Sequence, residues 1–182
     1  NLRFTPAADV SGAGYASFTF QVQDDGGTAD GAVDLDPTPN TLTIDVTEVN
    51  DPPAGTDRTV TTLEDVPYVL TVADFGFNDP TDTPPDSLLA VITSLPTAGS
   101  LTNGGLAVTA GQYISVSDIS AGNFRFTPAA DAYGVGYASF TFQVQDDGGT
   151  LGGGVDVDPT ANTLTIDVTP VNDAPTRSER AV

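Results

Sequence analysis

The sequence predicts an all-β fold, a string of antiparallel β-sandwich modules on a 122-residue repeat, and three observations carry that expectation. Residues 123–182 repeat residues 1–60 without insertion or deletion and agree at 44 of 60 positions, the longest shared run being GYASFTFQVQDDGGT from Gly14 and again from Gly136. Internal repetition at a fixed period outranks other signals in setting architecture. Apolar and polar residues alternate through Ser17-Phe18-Thr19-Phe20-Gln21-Val22 and Thr41-Leu42-Thr43-Ile44-Asp45-Val46, the period of a half-buried strand. The 19 glycines and 14 prolines fall mostly between such runs, where they act as turn formers.

A unit of 122 residues can bury a core without staples. The expected organisation is 1–53 as the C-terminal part of one module, 54–175 as a complete module and 176–182 as the start of the next, a window on a longer array. Strands are expected over 58–62, 68–73, 88–94, 100–102, 112–115, 123–127, 137–145 and 162–169. Phe140, Phe142 and Val144 face the same way as Leu164, Ile166 and Val168, and Phe18, Phe20 and Val22 pair likewise with Leu42, Ile44 and Val46. Eight short strands with frequent turns suggest two packed sheets, immunoglobulin-like in outline. Asn103-Gly104 between two leucines favours a tight hairpin. The prolines after Val49-Asn50-Asp51 and Val171-Asn172-Asp173-Ala174 hold short extended linkers.

Composition excludes several functions. Twenty-five acids against five arginines give a net charge of −20, which repels nucleic acid. No run approaches the roughly 20 apolar residues that a membrane helix needs. The chain has no Cys, His, Lys, Met or Trp, so thiolates, imidazole bases and lysine Schiff bases are unavailable. Paired carboxylates could serve a glycosidase, but that needs a sugar cleft, and no tryptophan or large insertion is present to build one. The chain is not expected to be an enzyme. Arg3 and Arg125 are expected to pair with carboxylates, and Tyr15 and Tyr137 to pack.

Six ordered motifs span the chain: Thr62-Leu63-Glu64-Asp65-Val66-Pro67, Ala73-Asp74-Phe75-Gly76-Phe77-Asn78-Asp79, Ser94-Leu95-Pro96, Phe126-Thr127-Pro128-Ala129-Ala130, Phe142-Gln143-Val144-Gln145-Asp146-Asp147 and Val171-Asn172-Asp173-Ala174-Pro175. Together they resemble the cadherin-like, immunoglobulin-like tandem repeats of giant bacterial secreted adhesins of the RTX type. The resemblance implies an extracellular or cell-surface array, stiffened by calcium, that spans from cell to target. Its partners would be neighbouring modules of the same array.

Threading the chain through an immunoglobulin-like strand order sorts its acids between two poles. Asp79, Asp82, Asp86, Asp146 and Asp147 fall at the entry pole of the full module, and Glu64, Asp65 and Asp131 at its exit pole. At the first junction Asp9, Asn50 and Asp51 are expected to join the five entry-pole acids. At the second, Asn172 and Asp173 join Glu64, Asp65 and Asp131. Oxygen-only clusters suit Ca²⁺, which accepts six to eight hard ligands at variable angles. No contiguous EF-hand loop is present, so such sites must be assembled from separate loops. Asp34, Asp36, Asp156 and Asp158, before the last strand of each copy, read instead as turn formers. The expected function is therefore a calcium-stiffened spacer of a surface adhesin. The alternatives are a repeat of an extracellular filament completed by strand addition, in which other copies of the chain are partners, and a glycan- or host-binding module.

Overall fold

The computed structural model describes residues 1–174 and is all-β. The chain divides into two compact units, Asn1–Val49 and a second from Asn50 onward. The expected start of a further module at 176–182 lies outside the described residues. No helix among the described residues is long and apolar enough to cross a membrane.

The first unit holds two antiparallel strands, β1 (Gly12–Phe20) and β2 (Asn40–Val46), with Phe18 opposite Leu42 and a register shift between Gly12 and Ala16. The second unit is a two-sheet sandwich. One sheet has the order β3 (Arg58–Leu63), β11 (Asn162–Thr169), β10 (Gly134–Asp146), β5 (Leu88–Thr93), β8 (Gln112–Ser115); the other runs β4 (Tyr68–Val69), β9 (Phe124–Thr127), β6 (Ser100–Asn103), β7 (Leu106–Ala107). All pairings are antiparallel except β3 with β11. β10 and β11 repeat the register of β1 and β2, with Phe140 opposite Leu164 and the same shift between Gly134 and Ala138. Identical sequence thus gives identical local pairing.

The two copies differ in what covers their apolar face. Alternation puts Phe140, Phe142, Val144, Leu164, Ile166 and Val168 on one side of the sheet, where they join Leu70, Phe75, Val91, Ile114, Phe124 and Phe126 in a single core. Phe75 packs edge-on to Phe142 at 5.1 Å and stacks on Phe124. β10 is longer than β1 because β5 pairs with it from Phe142 to Asp146. In the first unit, Phe4, Phe18, Phe20 and Leu42 are all about two-fifths exposed.

Two departures from the expected elements have local causes. The strand expected over 68–73 ends at Val69 and gives way to a 3₁₀ turn, Val72–Phe75. Asp74 accepts hydrogen bonds from the Thr71 amide (2.7 Å) and hydroxyl (2.9 Å), a capping box that favours a helical turn over an extended chain. A short helix, α1 (Val116–Ser120), was not expected; Ser115 caps it by accepting from the Asp118 amide. The Asp118 carboxylate also accepts from Asn103, Ser115 and Asn123, which lowers its pKa.

Tyr137 packs edge-on to Phe126, and its hydroxyl accepts from the Ala129 amide at 3.1 Å. Tyr15 does the same with Phe4 and Ala7. A tyrosine early in the penultimate strand that bonds back to the upstream backbone is a corner device of immunoglobulin-like sandwiches. Arg125 Nε donates to the Gly122 carbonyl, at 2.9 Å.

Candidate metal centre

The register of β5 on β10 builds the entry pole. Leu88, at the start of β5, lies opposite Asp146, at the end of β10. The 79–86 loop that feeds β5 therefore meets the turn that leaves β10. In that loop the carboxylates of Asp79, Asp82 and Asp86 each place an oxygen within 4.8 Å of the other two. Asp79 and Asp82 are buried and Asp86 is half-buried. Asp79 Oδ2 accepts from the Asp86 amide at 3.1 Å, which folds the loop back on itself. Its Oδ1 is buried and has no hydrogen-bond partner. A buried carboxylate oxygen left unpaired is costly, and a proton, a water or a cation would each relieve it.

The leading linker is knit into this pole. The Asp51 amide donates to both Asp82 oxygens at 3.1 and 3.3 Å. Asn50 Nδ2 donates to Asp146 at 3.2 Å and to the Val155 carbonyl at 2.7 Å, while the Val155 amide returns a bond to the Asn50 carbonyl. Asn50 Oδ1 is buried without a partner. Gly148 and Gly154 make room for this side chain: a Cβ on Gly148 would stand 1.8 Å from Asn50 Oδ1 and 2.0 Å from Asp86 Oδ2. Further along, Ala54 exchanges backbone bonds with Asn78.

Burial and like charge set the electrostatics. Desolvation, reinforced by repulsion from Asp82 and Asp146, raises Asp79 to about 6 against the bond from the Asp86 amide. Asp146 is raised by burial and by the carboxylates of Asp156 and Asp82, although Gly148 and Asn50 donate to it. A carboxyl whose folded pKa lies above its unfolded value contributes stability below the unfolded value, and that stability is lost as pH rises through the folded one. For Asp79 the window runs from 3.8 to about 6. Metal-free protein is therefore expected to have a higher urea midpoint at pH 5 than at pH 7. The lowered pKa of Asp118 acts only below this window. A midpoint rising steadily from pH 5 to 7 without metal contradicts the assignment.

The exit pole is different in character. The carboxylates of Asp65, Asp131 and Asp173 lie within 4.8 Å of one another and all three residues are exposed. The Asp131 amide donates to Asp65 Oδ1 at 3.1 Å. Asp65 and Asp131 have φ of 62° and 55°, a left-handed conformation that aspartate tolerates better than most residues. Glu64 is not in this group. It is buried and accepts from the Val171 amide, while its own amide donates to Thr169. Asn172 Nδ2 makes a long bond, 3.4 Å, to the Asp173 carbonyl. Asp9, the counterpart of Asp131, belongs to the first unit and has φ of 56°.

Asp147 ties the two entry loops by accepting from the Ser87 amide at 2.7 Å. Asp158, read from sequence as a turn former, is buried and accepts from the amides of Gly55 and Thr160 and from Asn162 Nδ2. Asp36 makes the last two bonds in the first unit, to Thr38 and Asn40. Asp156 accepts from Gln145 of β10, and Asp34 from Gln23, just beyond the end of β1. The glycines that seat Asn50 were missed; the only sequence signal for Gly148 was the Asp-Asp-Gly-Gly run found in both copies.

Two sheets packed on one core, with the parallel edge pair β3–β11 in one of them and a tyrosine corner, define an immunoglobulin-like sandwich. Residues 50–158 match the model of the bacterial Ig domain family, and the chain belongs to that family. The match begins at Asn50, which the structure also places in the second unit. No curated protein and no solved structure matches the chain.

Proposed function

We propose that this chain is part of a spacer in a large bacterial surface or secreted adhesin, an extracellular array of sandwiches whose linkers are fixed by Ca²⁺. The observation that supports it most is the group of Asp79, Asp82 and Asp86, with a buried, unpartnered oxygen on Asp79 and the backbone of Asp51 bonded to Asp82. A cation held there draws the 79–86 loop together and, through Asp82, holds the linker. The donors are all carboxylate oxygens of one loop, rather than of the separate loops expected from the sequence, and an oxygen-only set suits Ca²⁺ better than Zn²⁺ or another transition metal. The role is mechanical, and the module catalyses nothing.

The filament reading also has an observation in its favour, the open apolar face of Phe4, Phe18, Phe20 and Leu42 in the first unit. In the second unit the equivalent face is covered by residues from 58–115.

Small-angle scattering tests the proposal. The full chain is expected to give a narrower distribution of dimensions in Ca²⁺ than after exhaustive metal removal, and Asp51→Ala in Ca²⁺ to resemble the metal-free parent. Identical distributions with and without Ca²⁺ contradict it.

A further inference from the structure

We infer that Glu64 is a positioning residue for the trailing linker: its buried carboxylate holds the Val171 backbone amide and so fixes the direction in which the chain leaves the second unit. This hold is separate from the calcium reading above and stands whether or not that reading does. β3 and β11 run parallel as far as Leu63 opposite Thr169, and the Glu64 amide adds one more bond, to the Thr169 carbonyl at 2.9 Å. There the chain of β3 turns away. Asp65 takes a left-handed φ of 62°, and the Val66 amide donates back to the Leu63 carbonyl. On the other strand Pro170 has no amide to offer. Val171 therefore brings the next backbone donor, and the Glu64 carboxylate accepts it in place of a backbone carbonyl.

Burial gives this bond its weight. Glu64 is 3% exposed, so its carboxylate depends on protein donors, and an amide bonded to a carboxylate makes a stronger hydrogen bond than a neutral pair. The Val171 side chain, in contrast, is exposed. The grip is on the main chain, and at position 171 it is indifferent to the side chain as long as the residue is not proline. The leading linker is gripped in the same manner, by the bond from the Asp51 amide to Asp82, an acid that is equally buried. The two anchors differ in their surroundings. Asp82 belongs to the carboxylate group of the entry pole, whereas Glu64 stands apart from Asp65, Asp131 and Asp173. The trailing linker is thus fastened by a bond between two protein groups, and its order need not follow a metal.

Hydrogen exchange at the Val171 amide of the full chain tests this, measured in Ca²⁺ and in excess chelator. Glu64→Leu, which fills the buried space without an acceptor, is expected to speed that exchange by about tenfold to a hundredfold. Glu64→Gln keeps an acceptor oxygen and is expected to stay close to the parent. Chelator is expected to leave the parent's protection at Val171 in place. Equal exchange in the parent and in folded Glu64→Leu overturns the inference. So does protection in the parent that appears only with Ca²⁺, or a Glu64→Gln that exchanges as fast as Glu64→Leu. Circular dichroism shows whether each variant folds. If Glu64→Leu does not, Val171→Pro removes the donor from an exposed position instead, with greater mobility of the Asn172 amide in nuclear relaxation as the expected result and unchanged mobility as the contradicting one.

Discussion

Replacing Phe142 by alanine is expected to cost the second unit about 3 to 5 kcal/mol, while the same replacement at Phe20, one repeat earlier, costs less than about 1. The residues have the same neighbours in sequence and the same register on the following strand, to Asn162 and Asn40. Phe142 is 1% exposed and packs against Phe75, whereas Phe20 is 40% exposed. The cost of truncation follows the cavity left behind, and an open face leaves none. Urea unfolding followed by amide exchange in each unit separates the two effects. Equal losses at both positions would mean that the first unit's face is covered in solution.

Gly148→Ala is the second large effect expected. The new Cβ would fall 1.8 Å from Asn50 Oδ1 and 2.5 Å from Asn50 Cγ. The amide cannot simply rotate away, because its nitrogen is bonded to Asp146 and to the Val155 carbonyl. Expelling it breaks a charge-assisted bond and a neutral one and leaves the buried Asp146 less satisfied, together about 2 to 4 kcal/mol. Faster exchange of the Val155 amide, which donates to the Asn50 carbonyl, reports the event directly. Gly26→Ala is the control: its Cβ would meet only Asp24, no closer than 3.1 Å. Protection of Val155 retained in Gly148→Ala contradicts the seat assigned to Asn50.

The strands were legible because alternation is local: Phe140, Phe142, Leu164 and Ile166 announce their face whatever lies opposite. α1 was not, since five residues carry too little periodicity and its start depends on the single Ser115 cap. The strand expected over 68–73 failed for a similar reason, a competing bond from the Thr71 amide to Asp74 that alternation does not weigh. Of the five acids sorted by strand order to the entry pole, Asp79, Asp82 and Asp86 lie together and Asp146 and Asp147 fall outside that group, while Asp65, Asp131 and Asp173 lie together at the other pole. Glu64 was separated from its neighbours because the strand pairing turns it toward Val171 and burial. The seat of Asn50 was invisible in sequence: Gly148 and Asn50 are far apart in the chain, and only tertiary packing shows that a side chain at 148 has no room.

The central claim, that the entry pole holds a stabilising Ca²⁺, is tested most directly by the thermal unfolding midpoint of the full chain with and without the ion. A ligand bound only to the folded state at about 100 times its Kd adds about 2.7 kcal/mol. For a unit of this size that amounts to a rise of about 10 °C over metal-free protein, reduced sharply by Asp82→Asn. A midpoint that is the same in millimolar-scale Ca²⁺ and in excess chelator would contradict the account.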